Sequence, residues 1–318
     1  MSPVRSRLLS GADSLTDLIA GPVEQSSRPA VAPPRGACDC HAHIFGPSDR
    51  FPYTDGRGYT PPDAPLEAFL AMLDTIGCDR AVVVQGNAHG FDNRAILDAV
   101  ARQPDRLRGI CITDARVDAN DLRRWHGLGI RGLRFHVHRP SDRPAYVRGV
   151  GLDVLQAFLP TMQALGWHAQ VWCDWRMLPD IAATLRDIAR AIPVVIDHML
   201  NIDAAQGVAH PSFQSVLRLL GDGDCWVKLS GACRLSEHYP DYPDARPFHE
   251  ALVRTNPDRL VWGTDWPHPQ IPHDRMPDDG HLMDLFAGWT PDGATRQRIL
   301  VENPARLYGF DDALGRPQ

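Results

Sequence analysis

Residues 37–45 read A-C-D-C-H-A-H-I-F. Small and apolar residues alternate there with Asp39, His41 and His43, which is the period of a strand. On such a strand Asp39, His41 and His43 share one face. Cys38 and Cys40 point the other way, as small apolar groups against surrounding helices. Two imidazoles two residues apart on one face converge, so they can hold one ion or one carbonyl oxygen. Hydrogen-bonded core histidines produce the same string. The rest of the chain has to decide between these readings.

Working outward, short apolar runs recur at 80–85, 107–113, 130–137, 167–173, 194–198, 225–230 and 260–265. Helix-compatible stretches lie between them at 66–76, 92–102, 119–128, 154–165, 179–192, 212–220 and 247–255, with a last one at 291–306. Eight strands alternating with eight helices predict a (β/α)8 barrel, in preference to an open doubly wound sheet. The barrel is expected over 36–318. Residues 1–35 form a short arm ending in the linker Q-S-S-R-P-A-V-A-P-P-R at 25–35.

Composition excludes several classes. Of the 318 residues, 33 are Lys or Arg and 39 are Asp or Glu, giving a net charge of −6 with 14 histidines neutral. Nucleic acid needs a basic stripe, so it is not expected as a partner. With 43% hydrophobic and 23% charged residues, the chain is neither disordered nor collagen-like. No apolar run approaches the ~20 residues of a membrane span. The seven cysteines are odd in number and form no C-x-x-C pair, which predicts buried thiols rather than a disulfide framework. The first 35 residues lack a long apolar run, so the expected location is cytoplasmic. Homo-oligomerisation is left open.

In a (β/α)8 barrel the chemistry gathers where strands end. The expected strand ends carry His41 and His43, Gln85 with Asn87 and His89, Thr113 with Asp114, Arg134 with His136, Trp172 with Asp174, His198, Ser230 and Asp265. V-I-D-H at 195–198 places His198 at the end of an apolar strand, pointing the same way as Ile196. L-V-W-G-T-D-W-P-H-P at 260–269 places Asp265 at the end of the eighth, with Gly263 letting the backbone pass closely. A carboxylate beside imidazoles, with or without a metal, can take a proton from water. Alone, Asp265 would read as a turn or cap residue before Pro267; with three histidines at matching positions it reads as a base.

Other chemistries lack their motifs. There is no G-x-S-x-G elbow, no Walker loop and no G-x-G-x-x-G after a strand. G-D-G-D at 221–224 reads as a turn. Trp172, Trp175, Trp262 and Trp266 read as core or pocket wall, with Trp172 and Trp266 able to stack on a flat ring.

H-x-H on strand one, a histidine on strand six and G-T-D on strand eight resemble the amidohydrolase superfamily. Further strings extend the likeness over roughly 37–310: V-V-Q-G-N-A-H-G-F-D-N at 83–93, I-R-G-L-R-F at 130–135 and K-L-S-G-A-C-R-L-S at 228–236. The branch resembled contains 2-pyrone-4,6-dicarboxylate lactonase, 4-sulfomuconolactone hydrolase and aldarolactone isomerases. The resemblance implies a hydrolase that opens a lactone carrying carboxylate or sulfonate groups. Asp265 would act as general base, and His41, His43 and His198 would polarise the carbonyl. Arg134, Arg139 and Arg234 would hold acid groups, since guanidinium forks grip such anions bidentately. Asn87 would hydrogen-bond the substrate. Asn201 stands where the dicarboxylate lactonase has an arginine, so one anion-gripping charge is missing.

The only lysine is Lys228, on strand seven. A carboxylated lysine bridging two metals on strand four is therefore impossible. At most one metal is expected, held by His41, His43 and Asp265 with His198 as a further ligand. Zn²⁺ suits that set, and catalysis without metal is the alternative. A lactone isomerase, a related metal-dependent decarboxylase and a barrel that only binds an organic acid are the competing readings.

Overall fold

The structure, a computed structural model, describes residues 18–138 and 149–310. Eight strands follow one another in the chain: β1 Cys38–Ala42, β2 Arg80–Val84, β3 Leu107–Cys111, β4 Ile130–Val137, β5 His168–Cys173, β6 Val194–Ile196, β7 Trp226–Leu229 and β8 Leu260–Trp262. Each pairs in parallel with the next, in the order β1 to β8. Just past the strand ends Asp265 N–H donates to the His41 carbonyl and His43 N–H to the Trp266 carbonyl, both at 2.7 Å. These bonds close β8 onto β1. At this seam a Cβ on Gly263 would lie 2.6 Å from the His41 nitrogen, so only glycine allows the approach. The expected (β/α)8 barrel is the fold.

Helices α1 Leu66–Ile76, α2 Arg94–Arg102, α3 Ala119–Leu128, α4 Leu152–Ala164, α5 Leu178–Ala189 and α6 Pro211–Gly221 cover the first six crossovers. The short α7 Ala232–Leu235 and then α8 Arg246–Thr255 follow β7. Helices α9 Asp279–Trp289, α10 Gly293–Gln297 and α11 Asn303–Tyr308 complete the chain's described part. Local chemistry sets the boundaries. Asp118 and Asp121 form a reciprocal capping box at the start of α3, which pairs amides the helix leaves open. The expected single helix over 291–306 is instead α10 and α11 with a π turn, Arg298–Glu302, between them. Pro304 cannot donate to residue 300, and the wider turn absorbs the missing bond. Helix α9 was not among the expected helices; Asp278 starts it by accepting from His281 N–H.

Strand side chains divide between two faces. Ala81, Val83, Leu133, Phe135, Val171, Ile196, Leu229 and Trp262 pack outward in the large core with the helices. Val82, Val84, Ile110, Val195 and Val261 line the barrel interior with Tyr308 below them. Cys38 and Cys40 belong to this inner set, which corrects the expectation that they face the helices. The cause is a register shift between Asp39 and Ala42: three steps along β1 match two along β2. An inserted residue reverses the alternation. Cys38 and Cys40 face inward below it, His41 and His43 face inward above it, and Asp39 turns outward to Thr264. All seven cysteines are unpaired, six of them buried.

Residues 18–35, expected within the arm and linker, lie along the barrel wall, and Gly36 follows them. Ile19 N–H donates to the Thr60 carbonyl at 3.0 Å, Ser26 and Ser27 bond Asp279 and Asp278 at the start of α9, and Gly36 N–H reaches Asp79. Among the described residues, no helix is long and apolar enough to cross a membrane.

Candidate active site

Asp265 is the centre of the site. It lies three residues beyond β8, fully buried, with a left-handed backbone at φ 69°. Its Oδ1 faces three imidazole nitrogens: His43 Nε2 at 3.4 Å, His41 Nε2 at 3.7 Å and His198 Nε2 at 3.8 Å. Its Oδ2 accepts from both Nε and Nη2 of Arg234, on α7, at 2.5 Å. Burial raises the carboxyl's pKa, but the Arg234 guanidinium, foremost among its neighbours, outweighs it and holds Asp265 well below the ordinary range. It is ionised at neutral pH.

The imidazoles are neutral. Burial drives His41 well below its ordinary pKa, lowers His43, and takes His198 to about 4. His43 Nδ1 lies 2.8 Å from the Val84 carbonyl. A carbonyl only accepts, so Nδ1 carries the proton and Nε2 presents a lone pair to Asp265 Oδ1. Two buried acceptors facing each other at 3.4 Å call for a cation or a proton donor between them. His41 Nε2 and Asp265 Oδ1 are likewise buried without a hydrogen bond among the described residues.

Beneath these groups is a second layer. Asp197, immediately after β6, accepts from Arg134 Nε at 3.1 Å and Nη2 at 3.0 Å, and from Gln170 Nε2 at 3.1 Å. Lys228 Nζ donates to Gln170 Oε1 at 2.7 Å and to the Cys40 carbonyl at 2.8 Å. His41 Nδ1 lies between the two charges, 3.2 Å from Lys228 Nζ and 3.3 Å from Asp197 Oδ1. Burial lowers the Lys228 amine to about 8, against the pull of Asp197. Burial would raise Asp197, but the His41 ring beside it, together with the Arg134 and Lys228 cations, keeps it well below the ordinary carboxylate range.

Two sets of three buried side chains have ligand atoms within 4.8 Å of one another: His41, His43 and Asp265, and His41, Asp197 and His198. Ligands 2.0–2.1 Å from a tetrahedral zinc are about 3.3 Å apart. The 3.4–3.8 Å separations around Asp265 Oδ1 fit one divalent ion. Asp197 at His41 Nδ1 matches the carboxylate that commonly orients a metal-binding imidazole.

A family model for amidohydrolases matches residues 38–310. The chain belongs to the amidohydrolase family. A 4-sulfomuconolactone hydrolase of Rhizobium radiobacter is 40% identical over 294 residues, covering 91% of this chain and 95% of that protein. A 2-pyrone-4,6-dicarboxylate hydrolase of Comamonas testosteroni is 37% identical over 294 residues, 89% and 93% of the two chains. A solved structure from Acinetobacter baumannii, described as a probable 2-pyrone-4,6-dicarboxylic acid hydrolase with citric acid bound, superposes with a TM-score of 0.73. It is 27% identical and covers 86% of this chain and all of that one.

The amidohydrolase brings His41, His43, His198 and Asp265 together, by a route other than the one the sequence suggests. His198 does not follow Ile196, which faces the helices. Residues His198, Met199, Leu200 and Asn201 all have positive φ, between 48° and 74°, and this turn swings His198 inward, where Nδ1 meets Ser230 Oγ at 2.9 Å. Arg134 and Arg234 lie in the site, each engaged with a carboxylate of the amidohydrolase itself. Trp172 lines the interior beside His136, ring centres 6.1 Å apart. Trp266 instead packs on Phe69 of α1 at 5.3 Å and is core. Asn87 and Asn201 stand on the loops after β2 and β6; Asn87 Oδ1 and Asn201 Nδ2 are buried without partners among the described residues. Arg139 lies outside the described residues. Asp197, Gln170 and Lys228 had no assigned role in the sequence reading. Alternation from Val195 puts Asp197 on the inner face, and a lone lysine in W-V-K-L must be a buried charge needing a partner; both signals were present.

Proposed function

We propose that this amidohydrolase hydrolyses the ring ester of a lactone bearing carboxylate or sulfonate groups. The observation that carries the reading is Asp265 Oδ1, an ionised carboxylate oxygen ringed by three neutral imidazoles. The charge of the site points to an anionic substrate. Arg134, Lys228 and Arg234 supply three cations, against Asp197 and Asp265. The two hydrolases described above are named for acidic lactones, and the Acinetobacter baumannii structure holds citric acid, a tricarboxylate.

The chain's own groups divide the work. Asp265 Oδ1 takes a proton from water as its oxygen bonds to the lactone carbonyl carbon. Arg234 fixes the carboxylate through Oδ2, leaving Oδ1 as the basic atom. That pairing weakens the base, so proton transfer has to be concerted with attack on a polarised carbonyl. The carbonyl oxygen gains charge and is met by an N–H donor from His41 or His198; one preorganised donor of this kind contributes about 3–4 kcal/mol. The carbonyl carbon–ring oxygen bond then breaks. The proton held by Asp265 passes to the ring oxygen, and an open-chain acid leaves. His41, His43 and Asp265, with His198, are the residues that would hold Zn²⁺. When bound, the ion supplies Lewis-acid polarisation of the carbonyl.

Proton release from a panel of carboxylated and sulfonated lactones tests the reading. Each assay runs on protein as purified, after chelation, and after adding Zn²⁺. Acid release from a panel member is the expected result, and loss on chelation with recovery on Zn²⁺ assigns the metal. Lactone rearrangement seen by NMR without acid release would replace hydrolysis with isomerisation.

A further inference from the structure

The turn that carries Asp265 is held from behind by groups that no step above uses. Asp265 and His268 both have left-handed backbones, at φ 69° and 56°. Such conformations persist in non-glycine residues where the surroundings over-determine them. His268 N–H closes the turn onto the Asp265 carbonyl at 2.8 Å. Its side chain is fully buried and sets Nε2 3.1 Å from Asp279 Oδ1. Asp279, also fully buried, is the first residue of α9, and its Oδ2 accepts from Ser26 Oγ at 2.8 Å. Ser26 belongs to the segment that crosses the barrel wall ahead of β1. Beside it Ser27 gives its N–H and Oγ to Asp278 at 2.8 and 2.6 Å.

A buried carboxylate is stable when both oxygens are paired. Asp279 divides its two oxygens between the N-terminal segment and His268. Without the Ser26 hydroxyl, Oδ2 must find another partner, and a carboxylate turns as a rigid unit. Oδ1 then leaves His268, and the bond fixing the far side of the Asp265 turn goes with it. Arg234 holds the near side through Asp265 itself and through the Pro269 carbonyl at 3.1 Å.

We propose that Ser26, Asp279 and His268 form a positioning relay through which the N-terminal segment holds Asp265 in its catalytic orientation. None of the three touches the reacting atoms. Displacing a base within an assembled site lowers kcat, because a misplacement of about 1 Å can cost 100-fold, while ground-state binding is largely spared.

The test uses the full-length chain and the variants Ser26→Ala, Ser26→Thr and Asp279→Asn. Amide hydrogen exchange is followed by mass spectrometry in peptides covering 263–271 and, as reference, β3 to β5. Ser26→Ala is expected to speed exchange in 263–271 and leave the reference peptides unchanged; Ser26→Thr, which keeps a hydroxyl, restores protection. On the lactone that supports turnover, Ser26→Ala lowers kcat about fivefold to tenfold with KM within about twofold. Exchange in 263–271 at the wild-type rate in both Ser26→Ala and Asp279→Asn overturns the relay. So does a uniform rise across all peptides, which marks general destabilisation. A kcat equal to wild type in Ser26→Ala overturns its role in catalysis. The kinetic arm rests on the lactone reading and the exchange arm does not, so a protein silent on every lactone still tests the relay.

Discussion

Asp265 has two oxygens with different duties. Oδ2 is bound to Arg234, and Oδ1 faces His41, His43 and His198. Asp265→Asn keeps the shape and removes the base. Turnover should fall at least about 100-fold, the usual contribution of a general base, with an unchanged circular-dichroism spectrum; near-normal turnover would remove Asp265 from the mechanism. Arg234→Gln acts on the same atom differently. Burial pushes the Asp265 carboxyl up, and Arg234 is the foremost group pulling it down. Without that cation the carboxyl's pKa rises. A base works only when ionised, so activity is lost as pH falls through its pKa, and the acid limb of kcat/KM should move toward neutral pH. A limb that stays in place would show that another group governs it.

At the scale of elements, the side chains proposed for catalysis are delivered by irregularities. The reversal of alternation in β1 brings both His41 and His43 to the interior above two cysteines. The left-handed turn at 198–201 turns His198 inward although Ile196 faces out. A strict period of two located the right strand ends and misassigned the face of Asp39, Cys38 and Cys40. Nothing in a single sequence marks where an inserted residue falls in a ladder, because both strands that pair with β1 lie far along the chain. The turn after β7 supports His198 from the other side. Gly231 has φ 71°, and an added Cβ would lie 3.1 Å from His198 Cβ and 3.2 Å from its Nδ1. Gly231→Ala should therefore cost about 1–2 kcal/mol in urea denaturation from the backbone alone. Its effect on kcat should exceed that of an equally destabilising change on the outer helices. Wild-type stability and kcat together would show that the turn relaxes freely.

For the whole molecule, the barrel was legible because its eight strands are apolar runs separated by helix-length stretches, and the closed parallel sheet follows from that rhythm. The break between α10 and α11 and the presence of α9 were not, since Gly, Asp and His in D-G-H-L-M-D weaken the helical pattern that tertiary packing restores. The price of assembling so polar an interior appears in acid. Buried histidines held neutral oppose protonation only in the folded state. His249, packed edge-on to Phe286 and Trp289 with Nε2 2.7 Å from Thr290 Oγ1, is lowered by burial to about 3, and His168 likewise to about 3. In the unfolded chain both titrate near 6.5. The sign follows directly: between roughly pH 6.5 and 3 the unfolded state binds more protons, so stability falls as pH falls and is constant above the unfolded pKa. Each such histidine contributes a slope of at most about 1.4 kcal/mol per pH unit. Urea unfolding of wild type at intervals from pH 7.5 to 4.5 should show stability level at the top of the range and declining below pH 6.5. In His249→Gln, whose amide can still meet Thr290, the decline should be shallower by up to one proton's worth. An identical slope in the variant would mean that His249 becomes protonated within the folded barrel, and that the acid sensitivity belongs to the buried carboxylates Asp197 and Asp265 and their cations instead.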